Sequence, residues 1–255
     1  MRMHWGWTVL VAITLAAPSA FAGPPPAPYT WTGCYVGGNI GYAWGRDDGY
    51  NATPTTTFFG LGIPVTGPIY GGTNLGGAVF GVQDGCNYQA GLWVIGLEGD
   101  FNGMVTQQGQ APDVSAQVNR AAVAQTSEVW LATLRARLGV TGFDNRALFY
   151  ATGGGALMNL TSMQVVTGFV SLSSNSQTDW PFGWTVGGGL EYAFTDYFLL
   201  RAEYLYVRIP AYNTFTANSG YLGGPPVPLS TSLSENIFRF GISYKFSDRI
   251  LFFLK

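Results

Sequence analysis

Residues Gly183–Val207 read GWTVGGGLEYAFTDYFLLRAEYLYV, and taking every second residue separates two unlike faces. Before the break at Thr195-Asp196-Tyr197, Trp184, Val186, Leu190, Tyr192 and Phe194 alternate with Thr185, Gly187, Gly189 and Glu191. After it, Leu200, Ala202, Tyr204 and Tyr206 alternate with Arg201 and Glu203. Period-two alternation marks a β-strand with two different faces, and a short polar break between two such runs marks a hairpin. The apolar face is bulky and aromatic, whereas the other is glycine, threonine and ions, too small-chained for a solvated exterior. That suits a closed membrane barrel, with aromatic and aliphatic residues toward lipid and small or polar residues toward a narrow interior.

The same alternation extends in both directions. It occurs at Trp31 to Trp44, about Asn74 to Tyr88, Trp93 to Phe101, Trp130 to Val140, Ala147 to Leu160 and Glu235 to Phe246. The glycine run Gly153 to Gly155 leaves the facing of the fifth segment open. Short turns at Gln89-Ala90-Gly91, Asp144-Asn145 and Thr195-Asp196-Tyr197 alternate with long connections at 45–73, 103–127, 161–181 and 209–232. All 14 prolines fall outside the eight segments, as expected if these are paired strands. Three short turns with both ends on one side require an all-β, eight-stranded antiparallel barrel, and strands near ten residues suit a tilted crossing of hydrocarbon. Trp44, Trp93, Trp130, Trp184 and Phe246 would form the interfacial girdles. The competing architecture is a secreted β-sandwich, which would expose charge rather than aromatics on one face.

Composition narrows the chemistry. The chain has 36 Gly, 8 Trp, 14 Tyr and 17 Phe but only 12 basic and 14 acidic residues, so no positive field is available for nucleic acid. The only histidine is His4, and Lys245 and Lys255 are the only lysines, which disfavours histidine-based catalysis, lysine nucleophiles and P-loops. No catalytic, cofactor or metal site is expected, and the chain is read as non-enzymatic. Arg2, an apolar run from Trp5 to Ala17, and Ala20-Phe21-Ala22 make residues 1–22 a secretory signal cleaved after Ala22. Residues 23–30 are a proline-rich lead-in, 31–246 the barrel, and 247–255 a C-terminal tail.

The inward-facing ions are Glu98, Asp100, Glu191, Glu203 and Glu235 against Arg135, Arg137, Arg201, Arg239 and Lys245. An eight-stranded barrel is just wide enough for side chains to fill, so these groups must pair. The pairing would either plug the lumen as a structural polar core or gate it through alternative partners. Carboxylate pairs such as Glu98 with Asp100 suit glycosidase chemistry poorly, because neighbouring arginines disfavour a protonated acid. Cys34 and Cys86 fall at the same end and on the same face of the first two strands, as a cross-strand disulfide or as two separate thiols. Asp84, in the same phase as Cys86, would face lipid near the interface unless a bulge turns it inward.

At WTGCYVGGNIGYAWG (Trp31 to Gly45), Gly183 to Val207 and FRFGISYKF (Phe238 to Phe246), the chain resembles the small porin-like outer-membrane proteins and surface antigens of alphaproteobacteria, with an OmpA-type barrel. The resemblance implies short periplasmic turns, four surface loops, outer-membrane lipid around the wall, and periplasmic chaperones and barrel-insertion machinery as partners. It implies an envelope-structural and surface-antigen role with at most narrow passage of small solutes, or alternatively loops that bind a host factor or a ligand such as hemin. Hemin would have to use Tyr, Met or stacking aromatics in the loops, for example Phe58, Phe59, Tyr70 or Tyr221, since no histidine is available. The pattern Gly241, Tyr244, Phe246 resembles the family's insertion signal, although this chain continues past its terminal aromatic. The family usually has aromatics where this chain has Cys34 and Cys86, so both departures fall at facing positions.

Overall fold

The structure, a computed structural model, describes residues 28–48, 50–52, 57–58, 63–64, 67–70, 72–107, 109–112, 121–167, 172–217 and 227–246. The cleavage residues Ala20 and Ala22, most of the lead-in, the tail, Phe59 and Tyr221 lie outside these residues, as do the side chains of Phe58 and Tyr70.

Eight strands form the wall: β1 (Gly33–Asp47), β2 (Thr73–Ala90), β3 (Trp93–Gln107), β4 (Ala121–Gly142), β5 (Ala147–Thr167), β6 (Phe182–Ala193), β7 (Phe198–Ala217) and β8 (Val227–Lys245). Each pairs antiparallel with its neighbour in the chain, and β8 returns to β1, from Tyr35 opposite Lys245 to Asp47 opposite Leu233. Closure leaves no strand edge for hydrocarbon to face. The short turns are Gly91-Leu92, residues 143–146 and residues 194–197. In the second of these, Phe143, Asp144 and Asn145 all take positive φ, a conformation that Asp and Asn accept through their own side-chain hydrogen bonds.

The alternation produces an inside-out wall. Leu134 is 68% exposed while its neighbour Arg135 is 0% exposed, so apolar side chains point away from the lumen and a guanidinium points into it. Small residues at inward positions make room for this. A Cβ on Gly154 would lie 2.0 Å from the Leu134 carbonyl oxygen, which also fixes the facing of β5, with Tyr150, Thr152 and Ala156 inward beside it.

The long connections differ from expectation. Much of what reads as loop is strand: β4 has 22 residues and β5 has 21, roughly twice the 9–11 that a crossing requires. Valine and threonine in these stretches favour pairing, and the short strands Gly109–Pro112 and Leu172–Asp179 extend the sheet further. Two prolines therefore do lie within barrel strands. Pro210 sits in a bulge of β7, where the register shifts between Ile209 and Tyr212, and Pro228 pairs opposite Thr216 near the upper end of β8. Trp31 also does not begin the first strand. Gly33, at φ 134°, turns the chain so that Trp31 folds into the mouth of the barrel before β1 starts.

Candidate functional site: a filled lumen

Midway along the lumen, β3, β4, β6, β7 and β8 contribute four carboxylates and four guanidiniums: Glu98, Asp100, Glu191 and Glu203 with Arg135, Arg137, Arg201 and Arg239. All eight side chains are at most 2% exposed. Arg135 is the hub, with Nη2 at 2.5 Å from Glu98 and 2.7 Å from Asp100, and Nη1 at 3.1 Å from Glu203. Arg239 ties Asp100 at 2.9 Å to Glu203 at 2.6 Å. Arg137 spans Glu98 and Glu191 at 3.3 and 2.9 Å, and Arg201 pairs with the same two acids.

Neutral groups add further hydrogen bonds. The Tyr35 hydroxyl donates to Glu98, and Tyr150 donates to Glu203 at 2.8 Å. Thr133 and Asn102 donate to Asp100 at 2.8 and 2.5 Å. Arg137 also lies 3.9 Å from the Tyr150 ring centroid, which covers its flat face. Charges this deeply buried persist only when paired and hydrogen-bonded, and each one here is.

Two of the ten predicted lumen ions do not join this cluster. Glu235 faces inward but stands beside Glu128 among apolar side chains nearer the long-connection end. Lys245 lies at the opposite mouth, where its ammonium donates to the Thr30 carbonyl and sits 4.7 Å from the Tyr29 ring centroid. Both follow from strand position: Glu235 is two pleats above Arg239 on β8, and Lys245 three pleats below it.

Sequence reading missed the tiers on either side. At the short-turn end, Tyr29 and Trp31 form a plug, packed edge to face with ring centroids 5.2 Å apart. Trp31 donates its backbone N–H to Gln89 and its indole N–H to the Asn145 carbonyl, both at 2.8 Å, so the left-handed turn presents an acceptor to the plug. Val94, Leu148, Ala193 and Leu199 pack around it. Above the ions, Leu75, Val79, Met104, Leu131, Met158, Leu205, Ile209 and Ile237 fill the lumen with hydrocarbon. The lumen is therefore not lined by small and polar residues throughout.

Parity explains part of the omission. Leu205, Val207 and Ile209 continue the inward phase of Arg201 and Glu203, and Leu233 and Ile237 that of Arg239, in stretches where the inner face turns apolar and Arg208, Ser232 and Ser234 stand on the outer face. Glu128 is reached only through a bulge in β4, where Trp130 and Glu128 oppose consecutive residues Asn159 and Leu160, which returns Glu128 to the inner face.

Cys34 and Cys86 are opposite in register and are joined by a disulfide, with Cα atoms 4.0 Å apart. Asp84 stays on the outer face, because the β1–β2 register runs unbroken past it. Phe246 follows the end of β8, donating its N–H to the Cys34 carbonyl at 2.8 Å and packing on Tyr244.

A family model for the outer membrane protein β-barrel domain matches residues 13–246. The chain belongs to this family of outer-membrane β-barrels. The 31 kDa outer-membrane immunogenic protein of Brucella melitensis is 30% identical over 236 residues, covering 92% of this chain and 91% of that protein. The 25 kDa outer-membrane immunogenic protein of the same organism is 30% identical over 233 residues, covering 88% and 85%. Outer membrane protein OprG of Pseudomonas aeruginosa shares the fold, with a TM-score of 0.52 at 14% identity over 86% of this chain and 98% of that one. The barrel thus sits in the bacterial outer membrane, with its wall against lipid, its short turns at the periplasm and its long connections at the cell surface.

Proposed function

We propose that this outer-membrane barrel is a non-enzymatic envelope component with a sealed lumen, which displays its extended surface strands and loops as an antigen. The lumen carries the reading: a Trp31 plug, a neutral ion cluster and an apolar tier follow one another along it. A wall spanning the membrane around a packed interior contributes mechanical continuity rather than solute flux. Its relatives are outer-membrane immunogenic proteins, and the projecting ends of β4, β5, β7 and β8 give this chain the same kind of surface display. The ordered end of β8 at Tyr244 and Phe246 supports Gly241, Tyr244 and Phe246 as the signal read by the insertion machinery after delivery by periplasmic chaperones.

Deletion of the gene tests the envelope role. Cells lacking the protein should become sensitive to detergent and bile, and a variant with shortened surface loops should restore resistance as well as wild type. Failure of the loop-shortened variant to do so, with normal outer-membrane levels, would assign function to loop contacts with a host factor or ligand instead.

A further inference from the structure

One patch of the outer wall just above the upper aromatic girdle carries charge. Arg46 of β1 and Arg208 of β7 both pair in register with Ser234 of β8, so the two arginines flank one serine across three adjacent strands. Neighbouring strands lie about 4.8 Å apart, which puts the two backbones roughly 10 Å from each other. Arg46 is exposed and Arg208 partly so, on the outer side of the wall. The row beneath is Trp44, Asn236 and Tyr206, again in register, with Trp44 against Tyr204 and Trp184 against Tyr206 at centroid distances of 6.4 and 5.7 Å. Such an aromatic row marks where hydrocarbon gives way to headgroups, so both guanidiniums stand at headgroup depth.

Asp48 shares the patch, with Arg208 at 3.1 Å and the Ser232 hydroxyl donating to the same oxygen. That hydrogen bond, aided by Arg208, holds the Asp48 carboxyl below its ordinary range against the cost of partial burial. One carboxylate offsets one of two guanidiniums, and the flanking stretches 49–72 and 209–232 contain no Asp, Glu, Lys or Arg. The patch keeps a net positive charge.

A second feature lies down the same wall. A depression of about 540 Å³ surrounds Gly38 on β1, walled by Ile40, Phe80, Val82, Phe240 and Ile242. Packing does not require glycine there, since a Cβ would meet only the Gly81 carbonyl oxygen, at 3.6 Å. Gly38 is eight residues below Arg46, roughly 26 Å along the strand and about 20 Å of depth at a tilt near 40°. A headgroup layer of about 5 Å plus half of a hydrocarbon core about 30 Å thick comes to the same depth, where outer-leaflet chains end.

We propose that the β7–β8–β1–β2 wall binds one phosphate-bearing lipid of the outer leaflet, its phosphate held by Arg46 and Arg208 and an acyl chain lying in the hollow at Gly38. Guanidinium forks match phosphate oxygens, and the aromatic row supports the region between head and chain.

The test uses the full chain in an uncharged detergent, titrated with lipid A carrying its phosphates, with dephosphorylated lipid A and with inorganic phosphate, and read by native mass spectrometry. Heat-modifiable migration confirms that each variant is folded. One intact lipid A per chain is expected, weakened roughly fivefold by Arg46→Gln or Arg208→Gln and more than tenfold by both together. Gly38→Leu should also weaken it, and dephosphorylated lipid A on the wild-type chain should bind as poorly as intact lipid A on the double variant. Comparing the two lipids on the wild-type chain needs no variant to fold. Equal binding of the two lipids to wild type would overturn the proposal, as would displacement of the lipid by equimolar inorganic phosphate. A wild-type dimer that Gly38→Leu dissociates would assign the wall to a second copy instead.

Discussion

Replacing Arg135 by Met tests whether the ion cluster is dry. Arg135 is 0% exposed and contacts three of the four carboxylates, Glu98, Asp100 and Glu203. Its loss leaves none of them bare: Glu98 keeps Arg137 and Arg201, and Asp100 and Glu203 keep Arg239. The deficit is one positive charge spread over the cluster, which places the loss near the lower end of the range for breaking a buried pair, about 3 kcal/mol. Adding Glu203→Gln restores neutrality, with the amide oxygen still accepting from Arg239 and the amide nitrogen donating to the Tyr150 hydroxyl, so the double variant should recover about 2 kcal/mol of that loss. Urea unfolding in detergent micelles, followed by tryptophan fluorescence, measures both. A cost below about 1 kcal/mol for Arg135→Met, the value for a solvated pair, would refute the reasoning. So would a double variant no more stable than the single one.

Three further outcomes follow from the same geometry. Reduction of Cys34–Cys86, or Ser at both positions, should lower stability by about 4 kcal/mol, from the entropy of a loop of 52 residues, and mass spectrometry without reductant should find neither thiol alkylatable. Trp31→Ala should cost roughly 3 kcal/mol through lost burial and the lost indole hydrogen bond to Asn145, seen as a lower urea midpoint, while bilayers stay silent because the tiers above still block the lumen. Gly154→Val should abolish the heat-modifiable folded band, since even a Cβ there collides with the Leu134 carbonyl, whereas Gly38→Val on the lipid face should leave it intact.

The barrel was legible because its two faces obey opposite rules. In the hairpin from Gly183 to Val207 the alternation alone separates lipid from lumen, and the inward Arg201 and Glu203 mark the polar tier directly. The facing rule changes toward the long-connection end, where the inner face turns apolar and the outer face polar. Val207, Ile209 and Leu233 point inward while Arg208, Ser232 and Ser234 stand outward, the reverse of the pattern lower in the wall, so the hydrocarbon tier above the ions reads in the sequence as the approach to a loop. Glu128 was hidden for a different reason, because a single bulged residue resets the parity on which the reading depends. The Trp31 plug depends on Gly33 reversing the chain and on a left-handed turn more than a hundred residues away supplying the acceptor at Asn145. No local pattern encodes that contact. Glu235 and Lys245 show that facing does not settle partnership. Inward residues pair only with those at the same height, and height requires the register of all eight strands.

The sealed lumen is tested most directly by recording from the purified, folded barrel in planar phospholipid bilayers across a range of voltages and salt concentrations. A packed sequence of plug, ion cluster and apolar tier predicts a flat baseline with no unitary steps, in the wild type and in the Trp31→Ala variant alike. A large, stable conductance in the wild type would contradict it.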